Sequence, residues 1–273
     1  MLTKEIRQQI EDFVRASPRT VQEVALAIDR NWRTADRYIQ EITQEFGTIA
    51  TRTFREGTRG ALKLVYWNAL SGAKGTTYQE RLRTLIESGR TKYDFSPMHI
   101  YQYADPARRE AVRSTKPDTS DFAKLLGTTQ RQLLSLSGNL SWIKQDKKYF
   151  AVIEELVKRK VHIKIITRID LTSQDIARKL LQLNETHGDD YITIRHCEQP
   201  LRCVVIDDTI TSIKEVFSPS RLPELKEMTY IYYRIADPVW IVWLQKVFWH
   251  LWEQSIDAQS RIDALKTIRE VKN

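Results

Sequence analysis

The sequence predicts a multi-domain α/β protein, and three observations lead to that fold class. Three short helical patterns come before residue 47, and two strand patterns follow them directly. From about Ser120 onward, strand and helix patterns alternate, which is typical of an α/β layer structure. A chain of 273 residues is long enough for two domains that each bury a core of their own.

The N-terminal helices are defined by apolar spacing and by turn residues. Residues 2–14 carry apolar side chains at helical intervals, and the Ser-Pro pair at 17–18 ends that helix. Thr20 caps a short second helix. The polar turn 29–31 then leads into a third helix over 32–46. Two helices joined by a three-residue turn form a helix-turn-helix unit.

The strand patterns over 48–54 and 61–67 predict a hairpin, because a polar, glycine-containing segment joins them. A hairpin after three helices is the wing of a winged helix-turn-helix. We therefore expect residues 1–70 to bind double-stranded DNA. The candidate DNA contacts lie on the third helix and on the wing: Asn31, Trp32, Arg33, Thr34, Arg37, Arg52, Arg55 and Arg59.

The first turn of the third helix carries the side chains that would read DNA. In the major groove each base pair presents a distinct pattern of donors and acceptors. Arg33 and Arg37 could each fork onto guanine or hold phosphate, and Trp32 could contact DNA or pack as a staple. Residues 1–70 hold eleven Lys or Arg against nine Asp or Glu, which favours specific docking of a dimer over indiscriminate coating.

Composition narrows the class of protein. The 43 Lys and Arg exceed the 35 Asp and Glu, and the net charge of +8 favours a polyanionic partner. Cys197 and Cys203 form no CxxC pair, which argues against a disulfide framework and a metal site. We expect no cofactor and no membrane span, since no run of ~18 apolar residues occurs. The expected location is a reducing cytoplasm, with the protein on the nucleoid.

The segment 71–119 is expected to link the two domains. Small residues fill 71–75, and 78–88 has the pattern of an amphipathic helix whose partner could be a second copy of the chain. A homodimer follows from that interpretation. The pattern over 89–118 is compatible with strand or loop. The C-terminal domain is then expected to span 120–273.

The predicted elements of the C-terminal domain alternate along the chain. They are a helix over 121–126, a strand over 132–136, a helix over 149–159, a strand over 162–167, a helix over 173–184, strands over 191–195, 201–206, 209–216 and 229–234, and a final helix that begins at Pro238. That helix is dense in aromatic residues, which favours core packing, with a dimer interface or a ligand-binding wall as alternatives.

A catalytic phospholipase D-like domain needs a His nucleophile, a Lys and an Asp with the spacing HxKxxxxD. His162 and Lys164 match the first two positions, but the acid comes one residue late at Asp170. A shift of one residue turns a side chain to the other face of a strand. This match therefore predicts no catalytic site.

A better placed segment begins at Pro200, where the nucleophilic His would stand. Arg202 occupies the Lys position and Asp207 the Asp position. No phosphoenzyme can form there without the imidazole, so we expect no catalytic residue and no enzyme activity. Arg202 and Asp207 could form a buried ion pair, or line an effector pocket together with Ser137 and Asn139.

These features resemble one known group. A winged helix, a phospholipase D-like domain without its catalytic His, and the aromatic stretch FWHLWE at 248–253 are similar to the TrmB-type archaeal transcription regulators. The resemblance covers most of 1–70 and 120–255. It implies a DNA-reading N-terminal domain, a helical dimerising link, and a phospholipase D-like α/β domain that senses a sugar-like effector in some members.

The sequence thus predicts a dimeric transcription regulator that binds duplex DNA and carries a catalytically inactive C-terminal domain for dimerisation or effector sensing. Two alternatives stay open at this point. One is a chromatin-type protein that coats DNA with little sequence preference. The other is a phosphodiesterase or nuclease that uses a nonstandard nucleophile.

Overall fold

A computed structural model describes residues 2–45, 48–55, 61–67, 76–117 and 120–270 of the chain. The N-terminal part contains three helices and three strands. They are α1 (Lys4–Ala16), β1 (Arg19–Thr20), α2 (Val21–Ala27), α3 (Trp32–Glu45), β2 (Ile49–Arg55) and β3 (Ala61–Trp67).

Local hydrogen bonds set where the two helices of the helix-turn-helix begin. Thr20 and Glu23 cap the start of α2 reciprocally: the Thr20 hydroxyl accepts from the Glu23 amide, and the Glu23 carboxylate accepts from the Thr20 amide. Asp29 adopts a φ of 50° in the turn, a conformation that Asp tolerates better than most residues. Asn31 Oδ1 then accepts from the Thr34 amide at 2.9 Å, at the start of α3.

The three helices cover one face of a small antiparallel sheet in which β3 lies between β1 and β2. Ile49 of β2 and Val65 of β3 point into this core. The helices contribute Ile10, Val14, Val21, Val24, Ala25, Ile28, Ala35, Tyr38, Ile39 and Ile42. The winged helix-turn-helix expected from the sequence is therefore present, and its core is its own.

The remaining elements form a larger α/β unit. Its helices are α4 (Thr76–Ser88), α5 (Met98–Tyr101), α6 (Ser120–Gly127), α7 (Ser141–Gln145), α8 (Lys147–Lys158), α9 (Gln174–His187), α10 (Pro238–Gln254) and α11 (Ala258–Glu270). Its strands are β4 (Arg109–Ser114), β5 (Gln132–Ser137), β6 (His162–Thr167), β7 (Ile192–His196), β8 (Cys203–Ile206), β9 (Ile210–Phe217), β10 (Thr229–Ile235) and β11 (Ile256–Asp257).

The eight strands form one mixed sheet in the order β11-β7-β6-β5-β8-β9-β10-β4. The pairs β5–β6 and β6–β7 are parallel, and the other neighbours are antiparallel. Helices connect the parallel strands, as such crossovers require. The predicted multi-domain α/β fold class is confirmed.

Apolar side chains alternate between the two faces of this sheet, and a separate core lies on each face. In β8, Cys203 and Val205 belong to one core, whereas Val204 and Ile206 belong to the other. Helices α4 and α10 contribute to the first core, and helices α6, α8, α9 and α11 contribute to the second. The sheet is thus the middle layer of three.

The aromatic helix α10 packs mainly as core, which was the favoured interpretation. Trp240, Trp243 and Phe248 are buried, while Trp249 is 37% exposed. The helix is not the last one, because α11 follows it and packs on the opposite face of the sheet. None of the described helices is both long and apolar enough to cross a bilayer.

The segment expected to be a linker is largely part of the C-terminal unit. Leu82 and Ile86 on the apolar face of α4 are buried against α10 of the same chain, and Glu87 lies 3.1 Å from His250. Helix α4 therefore packs against its own chain, whereas the sequence pattern also allowed a second copy as its partner. Strand β4 pairs with β10 and extends the sheet, and 71–75 lie outside the described residues.

The wing packs on the C-terminal unit. Phe54, Leu62 and Leu64 lie on the face of the wing sheet that points away from the helices, and all three belong to the core that contains α10. The Phe54 ring meets the Tyr233 ring edge-on, with centroids 6.4 Å apart. The C-terminal unit covers this face of the wing, so apolar side chains of both units pack in one continuous core. The core on the other face of the wing belongs to the winged helix alone.

Candidate nucleic-acid interface

The first two turns of α3 have an edge that is open to solvent. Asn31, Arg33 and Arg37 are exposed, and Trp32 is 48% exposed. Thr34 is half-buried beneath them. Of the five residues predicted on this helix, the structure therefore places four on one accessible edge.

Charge on this edge is positive. Arg30, an exposed residue of the preceding turn, adds a third positive charge to those of Arg33 and Arg37. Its guanidinium donates to the Asp29 carbonyl at 2.7 Å. Asp36, the acid of α3 that lies between Arg33 and Arg37 in the sequence, is paired with Lys63 of the wing strand β3. Because that carboxylate is already neutralised, it opposes an approaching phosphate less than a lone acid would.

The wing arginines differ from the helix arginines in their surroundings. Arg52 lies on the same face of the wing as Phe54, and its guanidinium stacks 4.7 Å from the ring centre of Tyr101. This contact directs the side chain toward the C-terminal unit, and not toward solvent as a candidate DNA contact would require. The Arg55 side chain and Arg59 lie outside the described residues.

A second candidate site is a cavity of about 410 Å³ in the C-terminal unit, lined at the carboxyl ends of the parallel strands β5 and β6. Ligands of open α/β sheets commonly bind at this edge. It contains three of the four residues predicted for an effector pocket: Ser137, Asn139 and Arg202. Its other lining residues include Arg90, Lys92, Tyr93, Trp142, Arg168, Glu198, Lys214 and Tyr230.

Arg202 lies at the floor of this cavity. Its guanidinium donates to the carbonyls of Pro200 and Leu201, at 2.9 and 3.3 Å. A Cβ built on Gly138 would lie 2.5 Å from Arg202 Nη2, so the glycine leaves room for the guanidinium. Burial, with a smaller effect of Arg168, lowers the pKa of Arg202 to about 10. The guanidinium therefore stays charged at neutral pH.

Lys214 of β9 reaches the same cavity from the neighbouring strand. Burial lowers the pKa of Lys214 to about 8, and repulsion from Arg202 and Lys92 acts in the same direction. The two neighbouring cations thus disfavour the charged form of Lys214, and an anion in the cavity would favour it.

Asp207, the fourth predicted pocket residue, lies elsewhere. It follows β8 at the end opposite to Arg202, so the expected ion pair between them is not formed. Its carboxylate instead accepts from the backbone amides of Gln130, Arg131 and Gln132, at 2.8 to 3.0 Å. The acid ties the start of β5 to the end of β8, which is a structural role.

Replacing Asp207 with Ala should lower the free energy of unfolding by about 2 kcal/mol, because three backbone amides lose their acceptor. The φ of 48° at this position adds strain for Ala. Urea denaturation would measure the loss. Asp208→Ala is the matched control, since its exposed carboxylate pairs with Arg131 at the surface and should contribute less than about 1 kcal/mol. Equal losses for the two variants would contradict this role.

The residues of the HxKxxxxD near match do not converge. His162 is exposed at the start of β6, while Lys164 points toward Trp252, 5.3 Å from its ring centre. Asp170 accepts from Thr172 and Ser173 in the turn before α9. Among the described residues, no group of three or more His, Cys, Asp or Glu could hold a metal ion.

Sequence reasoning missed several residues that the fold brings together. The sequence pattern places Arg30 in a turn, and its position just before α3 is the signal that points to it. Lys214 stands in a strand whose neighbours Ser212 and Ile213 are buried, and a charged residue in such a strand is unusual enough to notice. Lys92 carried no local signal, because only the fold places it beside Arg202.

The chain is similar to several solved structures at low identity. TrmBL2, an archaeal chromatin protein whose structure shows a novel mode of DNA binding, is 15% identical with a TM-score of 0.42, over 93% of this chain and 94% of that chain. Nuc from Salmonella typhimurium, a phospholipase D family member, is 12% identical with a TM-score of 0.40, over 55% and 96%. NucT from Helicobacter pylori is 9% identical with a TM-score of 0.38, over 55% and 99%. No family profile and no curated protein sequence matches the chain.

Proposed function

We propose that this protein is a transcription regulator that binds double-stranded DNA through α3 and that its C-terminal unit senses an effector. The observation that carries the proposal is the exposed edge of the first two turns of α3, which presents Arg33 and Arg37 with Arg30 beside them. An exposed helix edge with forked donors is what reading a major groove requires.

Sequence-specific binding is the expected behaviour. The side-chain oxygen of Asn31, Oδ1, accepts a hydrogen bond in the helix cap. The side-chain NH2 group of Asn31 is therefore the part that can bind a base or a phosphate. Arg33 and Arg37 lie one turn apart on the same helix, so they would meet neighbouring positions of one groove. These contacts are few, and they favour recognition over general coating of DNA.

Arg33→Ala and Arg37→Ala should each weaken binding to the best duplex by roughly 1 to 3 kcal/mol if the side chain reads a base. Fluorescence anisotropy with the duplex upstream of the protein's own gene and with a scrambled duplex would measure this. Loss on both duplexes together with a reduced salt slope would assign the side chain to phosphate. Arg178→Ala is the matched control, since this arginine pairs with Asp175 on α9.

The same titration tests the proposal as a whole. Tight binding to the upstream duplex and weak binding to the scrambled one supports a regulator. Equal affinity with a steep salt dependence would replace the regulator with a chromatin-type coating protein. No binding to either duplex at moderate salt would refute DNA binding.

We propose further that the protein acts as a homodimer and that its C-terminal unit is not a phosphodiesterase. Two exposed apolar side chains of α10, Val239 and Val242, offer a surface for a second copy. Pro200 stands where a nucleophilic His would be needed. Sedimentation analysis would test the dimer, and turnover of a generic phosphodiester would contradict the inactive domain.

A further inference from the structure

The cavity of the C-terminal unit has an excess of positive charge. Five cationic side chains line it: Arg90, Lys92, Arg168, Arg202 and Lys214. The single carboxylate among its described lining residues belongs to Glu198, which is exposed. Arg168 has a partner of its own in Asp170, at 3.1 Å. The other four cations exceed what Glu198 could neutralise.

Three of these cations have neutral neighbours. Within the described part of the chain, no carboxylate forms a salt bridge with Lys92, Arg202 or Lys214. Arg202 donates to carbonyl oxygens, Lys92 lies 4.9 Å from the ring centre of Tyr93, and Lys214 lies 5.9 Å from that of Tyr230. Holding partly buried cations together without a counter-charge costs stability, and a bound anion would remove that cost.

The shape of the cavity suits a small molecule. A volume of about 410 Å³ is in the range of small-ligand sites. Trp142 and Tyr230 supply aromatic walls, and Asn139 and Ser141 supply polar groups beside the cations. This set matches a ligand with a strongly anionic end and a polar body. A duplex carries its phosphates on a convex surface and would not bring them to the guanidinium at the cavity floor.

We propose that this cavity binds a small phosphorylated molecule, with Arg202 and Lys214 on the phosphate and Lys92 closing over it from the loop after α4. Arg forks onto phosphate oxygens through two parallel hydrogen bonds, and Lys adds a point charge. A phosphate monoester carries nearly two negative charges at neutral pH, which suits three unpaired cations better than a carboxylate does.

The position of Lys92 links this cavity to the winged helix. Lys92 and Tyr93 also line the crevice between the two units, opposite Arg19 and Glu23 of the winged helix. The Arg221 guanidinium stacks 4.1 Å from the Tyr93 ring centre in that crevice. The ligand would therefore act on a loop that contacts both units. This consequence, unlike binding itself, rests on the proposed DNA-binding function.

Isothermal titration of the purified full chain with pyrophosphate tests the anion site without any DNA. Pyrophosphate has two phosphoryl groups and no organic body, so it probes the cationic side chains alone. We expect saturable binding of one pyrophosphate per chain, weakened about tenfold or more by Arg202→Gln or Lys214→Gln. The matched controls Arg178→Gln and Lys158→Gln, which alter cations of other helices that are paired with acids, should bind like the wild type.

Three outcomes would overturn the proposal. They are the absence of saturable heat at millimolar pyrophosphate, binding that survives both substitutions unchanged, and a loss of duplex affinity in Arg202→Gln or Lys214→Gln equal to that in Arg33→Ala. The third would assign the cavity to DNA instead. Circular dichroism would confirm folding, and Lys92→Gln at the rim gives a variant outside the floor should Arg202→Gln fail to fold. Failure of DNA binding alone would leave the pyrophosphate result standing.

Discussion

Phe54→Ala should lower the free energy of unfolding by about 3 to 5 kcal/mol and should release the winged helix from the C-terminal unit. Phe54 is 4% exposed, and it lies where the wing meets the sheet. Truncation removes the edge-on contact with Tyr233 and leaves a void beneath Arg52, which also stacks on this ring. Since the winged helix has a core of its own, it should stay folded after release.

Calorimetry and small-angle scattering together would detect this release. The wild type should unfold in one transition, because a shared core couples the two units. The Phe54→Ala variant should show two transitions and a larger radius of gyration. Val65→Ala is the matched control: Val65 is buried on the opposite face of the same wing, so its loss should destabilise the winged helix without changing the radius. A single transition with a loss below about 1 kcal/mol would contradict the docking role of Phe54.

Most helices and strands could be predicted from the sequence, because the residue patterns that define them are local. Strands β3 and β6 have the bounds that their alternating patterns predicted, and the capped starts of α2 and α3 follow from Thr20 and Asn31. Helix α11 was missed although Ala258, Ile262 and Leu265 recur at helical spacing, because α10 had been taken as the end of the fold. In that case the signal was present and unused.

Docking between the units was harder to predict, because it depends on which face of the wing is covered. Phe54 and Leu64 alternate with Val65 around the same hairpin, so the wing is apolar on both faces. A wing exposed to solvent needs only one apolar face. The apolar residues on the second face of the wing were thus the evidence in the sequence that another layer covers it. The pairing of Arg52 with Tyr101 follows from the same docking.

The candidate cavity was only partly accessible to sequence reasoning. Ser137, Asn139 and Arg202 were named because a motif pattern drew attention to them, and the structure brings all three to one cavity. Lys92 and Lys214 come from distant parts of the chain, and only the tertiary fold makes them neighbours. Asp207 lies outside this cavity because β8 places residues 202 and 207 at its two opposite ends.

The second large effect concerns Glu215, on the strand β9 beside the crevice. Burial raises the pKa of Glu215 to about 7, hydrogen bonds from Ser96 and Tyr233 oppose the rise, and the nearby charge of Glu23 adds to it. The Tyr233 hydroxyl donates to Glu215 Oε2 at 2.6 Å. The folded protein therefore holds a proton that the unfolded chain, with an ordinary carboxyl, releases at lower pH.

The sign of the pH dependence follows from this difference. Between pH 4.5 and about 7 the folded state binds more protons than the unfolded state, so stability falls as the pH rises. From pH 5 to pH 8 the contribution of Glu215 should decline by roughly 2 to 3 kcal/mol. Glu215→Gln should lose this decline, because an amide does not titrate. Urea denaturation of both proteins at the two pH values measures it, with Glu253→Gln on exposed α10 surface as control.

The same measurement in a Phe54→Ala background would show where the strain acts. Glu215 faces Glu23 across the crevice, so ionisation places two carboxylates between the winged helix and the C-terminal unit. If this repulsion opposes docking, releasing the winged helix removes the part of the pH effect that Glu23 causes, and the two substitutions become non-additive. The part of the pH effect that comes from burial of Glu215 beneath Tyr233 would remain. Additive effects would place the whole cost of ionisation inside the C-terminal unit, and an unchanged pH dependence in Glu215→Gln would contradict the raised pKa itself.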